Sequence, residues 1–208
     1  MIVASVNQIS FGDSIWLDFS KKLEEDIKIV KKNDIILILD NKENLIGLNL
    51  FNWSDKLNVK QKQGFIPLNE GQIFSIIKYI PQYSDFLNQE LNHPYFVVGE
   101  IKDIKQHPKL EKLKIIKLDV GKGDLIELVS GSVNLRLGLK TVIAQIGAIM
   151  PNGKKIYNSK MGGVISPGAL CNRADLNLSS PEIKGAIEID DSTIKSGTDF
   201  SLVEKIIY

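Results

Sequence analysis

Residues 95–146 read YFVVGEIKDIKQHPKLEKLKIIKLDVGKGDLIELVSGSVNLRLGLKTVIAQI, and this stretch decides the fold. Apolar runs of strand length occupy 95–104, 113–120, 125–130 and 140–146. His107-Pro108 breaks the first from the second, because the proline keeps its predecessor extended and stops any helix. Gly121-Lys122-Gly123-Asp124 reads as a hairpin turn between the second and third; it lacks the spacing and the Lys-Ser/Thr ending of a phosphate loop. Residues 133–137 have the composition for one helical turn. Further on, Pro151-Asn152-Gly153 makes a tight turn, and 156–157 and 163–165 add short extended pieces. About five short strands with one helical turn inserted suit a partly open Greek-key barrel of the OB type.

Upstream the pattern changes. Residues 2–6 and 14–19 are strand-like. In 21–33, Leu23, Ile27 and Val30 fall at helical spacing. The apolar runs 34–40 and 45–51 flank the polar Asn41-Lys42-Glu43-Asn44 and predict a β-hairpin. Asn69 and Gln72 have the spacing of a capping box, Ile73, Ile76, Ile77 and Ile80 share one helical face, and Pro81 closes that helix. Ser84 caps a second short helix through residue 91. The reading is a small α+β domain over 1–92, then an all-β barrel domain with a C-terminal extension over 93–208, the boundary falling at Asn92-His93-Pro94.

Charge follows the same division. The whole chain is 208 residues long with a formal charge of +1. Residues 1–90 carry 10 Lys and no Arg against 12 acids, a net of −2; residues 97–180 carry 11 Lys and 2 Arg against 7 acids, a net of +6. Residues 181–208 are net acidic again. A cationic middle between acidic flanks points to a polyanion facing the barrel alone. Within it, Lys114, Arg136, Lys140, Lys154 and Lys160 are placed to converge on one face and neutralise phosphates. Tyr157 is the one aromatic residue between 97 and 180, too few rings for stacking an extended single strand. Backbone and shape recognition of a folded RNA follows as the expectation.

Little supports catalysis. His93 and His107 each precede a proline and have no Cys, His or Asp set at metal spacing beside them. Cys171, the single cysteine, has no base partner in sequence; it excludes an internal disulfide and fits a reducing cytosol. The opening Met1-Ile2-Val3-Ala4-Ser5 lacks the basic and apolar regions of a signal peptide, and apolar runs such as Ile35-Ile36-Leu37-Ile38-Leu39 are too short to span a bilayer. The expectation is a cytoplasmic non-enzyme with no metal and no cofactor.

Several linked motifs carry a family resemblance. They are Val97-Val98-Gly99, His107-Pro108 before Lys112-Leu113, Val120-Gly121, and the run from Val129-Ser130-Gly131 through Asn134-Leu135-Arg136 to Gly138. Ala144-Gln145-Ile146-Gly147, Pro151-Asn152-Gly153, Gly163-Val164-Ile165-Ser166-Pro167-Gly168 and Leu170-Cys171 continue it. This segment resembles the tRNA-binding domain shared by the bacterial phenylalanyl-tRNA synthetase β chain, methionyl-tRNA synthetase C-termini and free-standing tRNA-binding proteins. With the domain before it, the chain is similar to the YtpR family. The resemblance implies an OB barrel that binds tRNA or another structured RNA without catalysing anything. It also implies RNA-facing roles for Asn134, Arg136 and Ser166. Four positions depart from the family's pattern: Gly162 replaces Arg, Ala169 replaces Met, Asn172 replaces Ser, and Leu110 replaces a small residue. An alternative is therefore a protein–protein interaction module that has lost strong tRNA binding, with a protein partner on the N-terminal domain. The apolar tail residues Ile187, Ile189, Ile194, Leu202, Val203, Ile206 and Ile207 could pack back on the barrel or form a homodimer seam.

Overall fold

Ile2, Ala4 and Val6 are buried while Val3, Ser5 and Asn7 are half-exposed, the period-two alternation of a strand with one face on a core. That strand, β1 (Ile2–Asn7), belongs to the first of two units, Met1–His93 and Pro94–Tyr208, in a computed structural model that describes residues 1–22, 26–121, 123 and 125–203. The first unit adds β2 (Ser14–Asp18), β3 (Lys28–Lys32), β4 (Ile35–Leu39), β5 (Leu45–Phe51) and β6 (Gln63–Leu68) to one antiparallel sheet in the order β3-β4-β5-β2-β1-β6. The helices are α1 (Gln8–Phe11), α2 (Glu70–Ile77) and α3 (Ser84–Asn92). Ile73 and Ile76 of α2, Ile80, and Leu87 of α3 join the strand residues Ile15, Leu17, Leu48 and Leu50 in one buried cluster.

The capping box forms as its spacing requires. Asn69 Oδ1 accepts from Gln72 N at 3.0 Å, and Gln72 Oε1 accepts from Asn69 N at 2.8 Å. The hairpin across residues 41–44 also forms, with β4 and β5 in antiparallel register. The helical reading of 21–33 does not hold: Lys28–Lys32 is the edge strand β3, paired to β4 from Lys28↔Leu39 to Lys32↔Ile35. Asn33, at φ 52, turns the chain into β4. Of the residues at helical spacing, Val30 packs on the core and Ile27 is exposed, while Leu23 lies outside the described residues. Cross-strand pairing overrides a weak period.

The second unit is mostly β. Its strands are β7 (Phe96–Gln106), β8 (Lys114–Asp119), β9 (Leu125–Ser130), β10 (Lys140–Gln145), β11 (Ser159–Met161), β12 (Val164–Ser166) and β13 (Gly168–Leu170). Five form a sheet in the order β13-β10-β7-β8-β9, and β11 pairs with β12. The long strand β7 serves two partners, β10 through residues 96–100 and β8 through residues 100–106. The register shifts between Ile101 and Asp103, a bulge that bends the strand and lets the sheet curl. The sheet's two ends then approach. The buried Ser166 hydroxyl accepts from Val129 N of β9 at 3.1 Å and donates to Gly168 O of β13 at 3.1 Å. The result is a nearly closed barrel. Lys122 and Asp124 of the β8–β9 connection lie outside the described residues.

Two buried clusters flank β7 and β10. Val97, Ile101, Ile116, Leu118, Leu128 and Ile143 form one. Val98, Val142 and Ala144 face the other, which is completed by Ile187, Ile189, Ile194, Phe200 and Val203 of the tail. The tail thus packs back on the barrel, with Ile187 N donating to Cys171 O and Ile189 N to Lys140 O. Leu202 stays exposed, and Ile206 and Ile207 lie outside the described residues. No helical turn forms over 133–137. Two tight turns replace it, Val133 and Leu137 project into solvent, and Gly138 takes φ 78. Within this connection the Asn134 side chain hydrogen-bonds to Ala186 of the tail.

Candidate nucleic-acid interface

The segment after Pro151-Asn152-Gly153 is held rigidly. Asn152 Oδ1 accepts from Lys154 N at 2.9 Å, Met150 N donates to Lys154 O at 2.8 Å, and Ile156 N donates to Ala148 O at 2.8 Å. Side chains therefore alternate: Ile156 is buried, while Lys155 and Tyr157 on either side are half-exposed. Opposite runs the end of β9 with the Gly131–Val133 loop, and β13 with Asn172 forms a third wall. Lys184 and Gly185 close one end. These segments enclose a cleft of about 640 Å³. Its charged lining residues are Lys154, Lys155 and Lys184, with no carboxylate among the lining groups. Lys155 Nζ lies 5.8 Å from the ring centre of Tyr157. A cleft with this lining favours an anion that also carries a flat, partly apolar body.

The residues singled out from sequence divide into two groups. Lys154 lines the cleft, and Lys160 is exposed on β11 beside Met161, which also lines it. Lys114 is half-buried at the start of β8 and stands directly across from Ser130, a lining residue, so both project from one sheet face. The other four are occupied elsewhere. Asn134 Nδ2 donates to Ala186 O at 2.9 Å and to Glu188 Oε1 at 2.7 Å, and its Oδ1 accepts from Ala186 N at 2.8 Å. Arg136 makes a two-pronged ion pair with Glu188, Nη1 to Oε1 at 2.9 Å and Nη2 to Oε2 at 2.6 Å. Those bonds, Arg136's first and Asn134's second, hold the Glu188 carboxyl well below its ordinary value, at about 2. Lys140 Nζ donates to the carbonyls of Ser192 at 3.1 Å and Ile194 at 2.6 Å. Ser166 closes the barrel seam. Asn134, Arg136 and Lys140 thus converge on the tail, not on the cleft.

His107 and Cys171 are both buried. His107 is buried; its Nδ1 accepts from Lys109 N at 3.1 Å and Leu110 N at 3.0 Å, and its Nε2 faces Met161 O at 3.0 Å. That arrangement needs the proton on Nε2 and pins the loop after β7 to β11. Gly162 sits against this ring at φ 55, where a Cβ would fall 2.6 Å from His107 Cε1. A side chain there would be strained at that φ and would crowd the ring. Cys171 is buried, and desolvation pushes its thiol far up, away from the reactive thiolate. Among the described residues no group of three His, Cys, Asp or Glu side chains could hold a metal, and no helix is long and apolar enough to cross a membrane. Sequence reasoning passed over Lys184, because it lies in an acidic stretch; only the folding back of the tail brings it to the cleft.

Comparisons with known proteins agree with this architecture. The family described as "Putative tRNA binding domain" matches residues 96–199, from the first barrel strand into the tail. The "Putative tRNA-binding protein YtpR" of Bacillus subtilis is 29% identical over 191 residues, covering 90% of this chain and 94% of that protein. The phenylalanine–tRNA ligase beta subunit of Aliivibrio fischeri is 38% identical over 96 residues, 46% of this chain and 12% of the subunit. That of Pseudoalteromonas translucida is 39% identical over 103 residues, 50% of this chain and 13% of the subunit. The chain thus spans only about an eighth of those ligase subunits but nearly the whole of the Bacillus protein. By the match over residues 96–199, half of its length, the chain belongs to the family of putative tRNA-binding domains, and its likeness to the Bacillus protein runs through both units.

Proposed function

We propose that the second unit is an OB-type barrel that docks structured RNA, tRNA foremost, and does no chemistry of its own. The observation that carries this reading is the cleft, whose three charged lining residues are all lysines. Lys114 and Lys160 extend the cationic surface beside it, and phosphate contacts supply most of the affinity. Asn134, Arg136, Lys140 and Ser166 act as supports that fix the tail and the seam and so shape the RNA-facing surface. Support also comes from the likeness to the Bacillus tRNA-binding protein YtpR and to the phenylalanine–tRNA ligase beta subunits. The first unit is read as a small α+β domain of the YtpR type over residues 1–92, and the compartment as the cytoplasm, where tRNA is available.

The test is a pair of charge reversals, Lys154→Glu and Lys184→Glu, made together in the full chain. Both side chains are exposed, so folding is retained, which circular dichroism checks. Fluorescence anisotropy with tRNA should show affinity falling by at least tenfold at low salt. Affinity equal to wild type in the folded double variant would remove the cleft from the interface.

A further inference from the structure

The cleft is not simply a charged groove. Its floor is apolar, with buried Ile156 beside half-buried Ala169 and Leu170, and the barrel's only aromatic side chain between residues 97 and 180 stands in its wall. Ala169, one of the positions where this sequence departs from its family's pattern, presents a single methyl group to that floor. Asn172, another, lines the cleft beside β13. Its Oδ1 accepts from Asp175 N at 2.8 Å, which fixes the amide plane and leaves Nδ2 as a donor without a partner among the described residues. An oriented amide donor and an aromatic ring lining one cleft are the equipment for reading the edge of a flat heterocycle. The volume of about 640 Å³ is ample for one nucleotide.

We propose that this cleft takes one unstacked nucleotide of the bound RNA. The base lies against Tyr157 and the apolar floor, its edge accepts from Asn172 Nδ2, and Lys154 and Lys184 meet the flanking phosphates. The proposal rests on the RNA-docking reading and narrows it: the barrel binds an RNA at a place where a loop offers one unpaired base. A single ring suffices for a single base, which resolves the scarcity of aromatics in this barrel.

The experiment compares wild type, Lys154→Glu, Ala169→Met and Tyr157→Leu, each as the full chain, on one tRNA transcript across several salt concentrations. Base-modifying reagents footprint the same complexes. Ala169→Met fills the floor and Tyr157→Leu removes the ring while keeping bulk; neither changes charge. Both should weaken binding roughly 10- to 100-fold, the worth of one stacked base, with the salt slope unchanged. Wild type should protect one loop nucleotide, and Ala169→Met should expose it. If Lys154→Glu weakens binding while Ala169→Met and Tyr157→Leu bind as wild type, the RNA reading stands and the base pocket is refuted. If wild type binds no tRNA at the lowest salt, the RNA reading itself fails and takes the base pocket with it.

Discussion

Asn134→Ala separates the two roles that residue could have. In the structure its amide holds the tail at Ala186 through two backbone hydrogen bonds, at 2.9 and 2.8 Å, and reaches Glu188 with a third at 2.7 Å. Each backbone bond contributes about 1 kcal/mol net, and the bond to a solvent-exposed carboxylate adds less than its buried equivalent. Truncation also leaves the N–H and C=O of buried Ala186 without that partner. The sum is about 2–3 kcal/mol, a fall of roughly 8–15 °C in the melting of a unit this size. Circular dichroism follows both units. Tryptophan fluorescence isolates the first, because Trp16 and Trp53 both lie in Met1–His93. The barrel transition should therefore move while the fluorescence transition stays in place. At 10 °C, where the variant is folded, tRNA affinity should remain within about twofold of wild type. Unchanged melting together with a large loss of affinity would refute the clamp and restore Asn134 as an RNA contact.

Two further outcomes follow from the same tail and seam. Glu188 has its folded value depressed to about 2 from an ordinary 4.5. The stability it contributes is fully present above its unfolded value and is lost as pH falls through the folded one. Wild type should therefore lose barrel stability progressively between about pH 5 and pH 2, and Glu188→Gln should flatten that slope in a urea series at stepped pH. Ser166→Ala removes the hydroxyl that joins β9 to β13 and leaves Val129 N–H buried without its acceptor. The expected cost is about 1–3 kcal/mol in urea unfolding, and a cost near zero would show that the seam is held by other contacts.

Much of the barrel was legible because each strand is bounded by turn chemistry that admits little else. Pro108 and the glycines at 121, 123 and 153 punctuate the runs, so four strands could be placed to within a few residues. The connection at 131–139 was not legible. Its apparent helical turn is overruled by hydrogen bonds from Asn134 to residues 52 positions downstream, which no local window contains. Edge strand β3 departs from its local pattern for a similar reason, since its pairing with β4 outweighs a three-residue echo of helical period. The site shows the same limit. Lys154 and Lys160 were visible as loop cations, but a lone Arg or Lys in sequence does not show its counter-ion. Glu188 claims Arg136, the tail carbonyls claim Lys140, and Lys184 enters the cleft only once the tail has folded back.

On the proposed reading, the lysine-lined cleft makes the barrel an RNA-docking surface. Titration of the full chain with unfractionated tRNA at a series of salt concentrations tests it most directly. Affinity should fall steeply with salt, with a log–log slope of roughly −3 to −6 as several phosphates are neutralised. Absence of binding even at the lowest salt would contradict it.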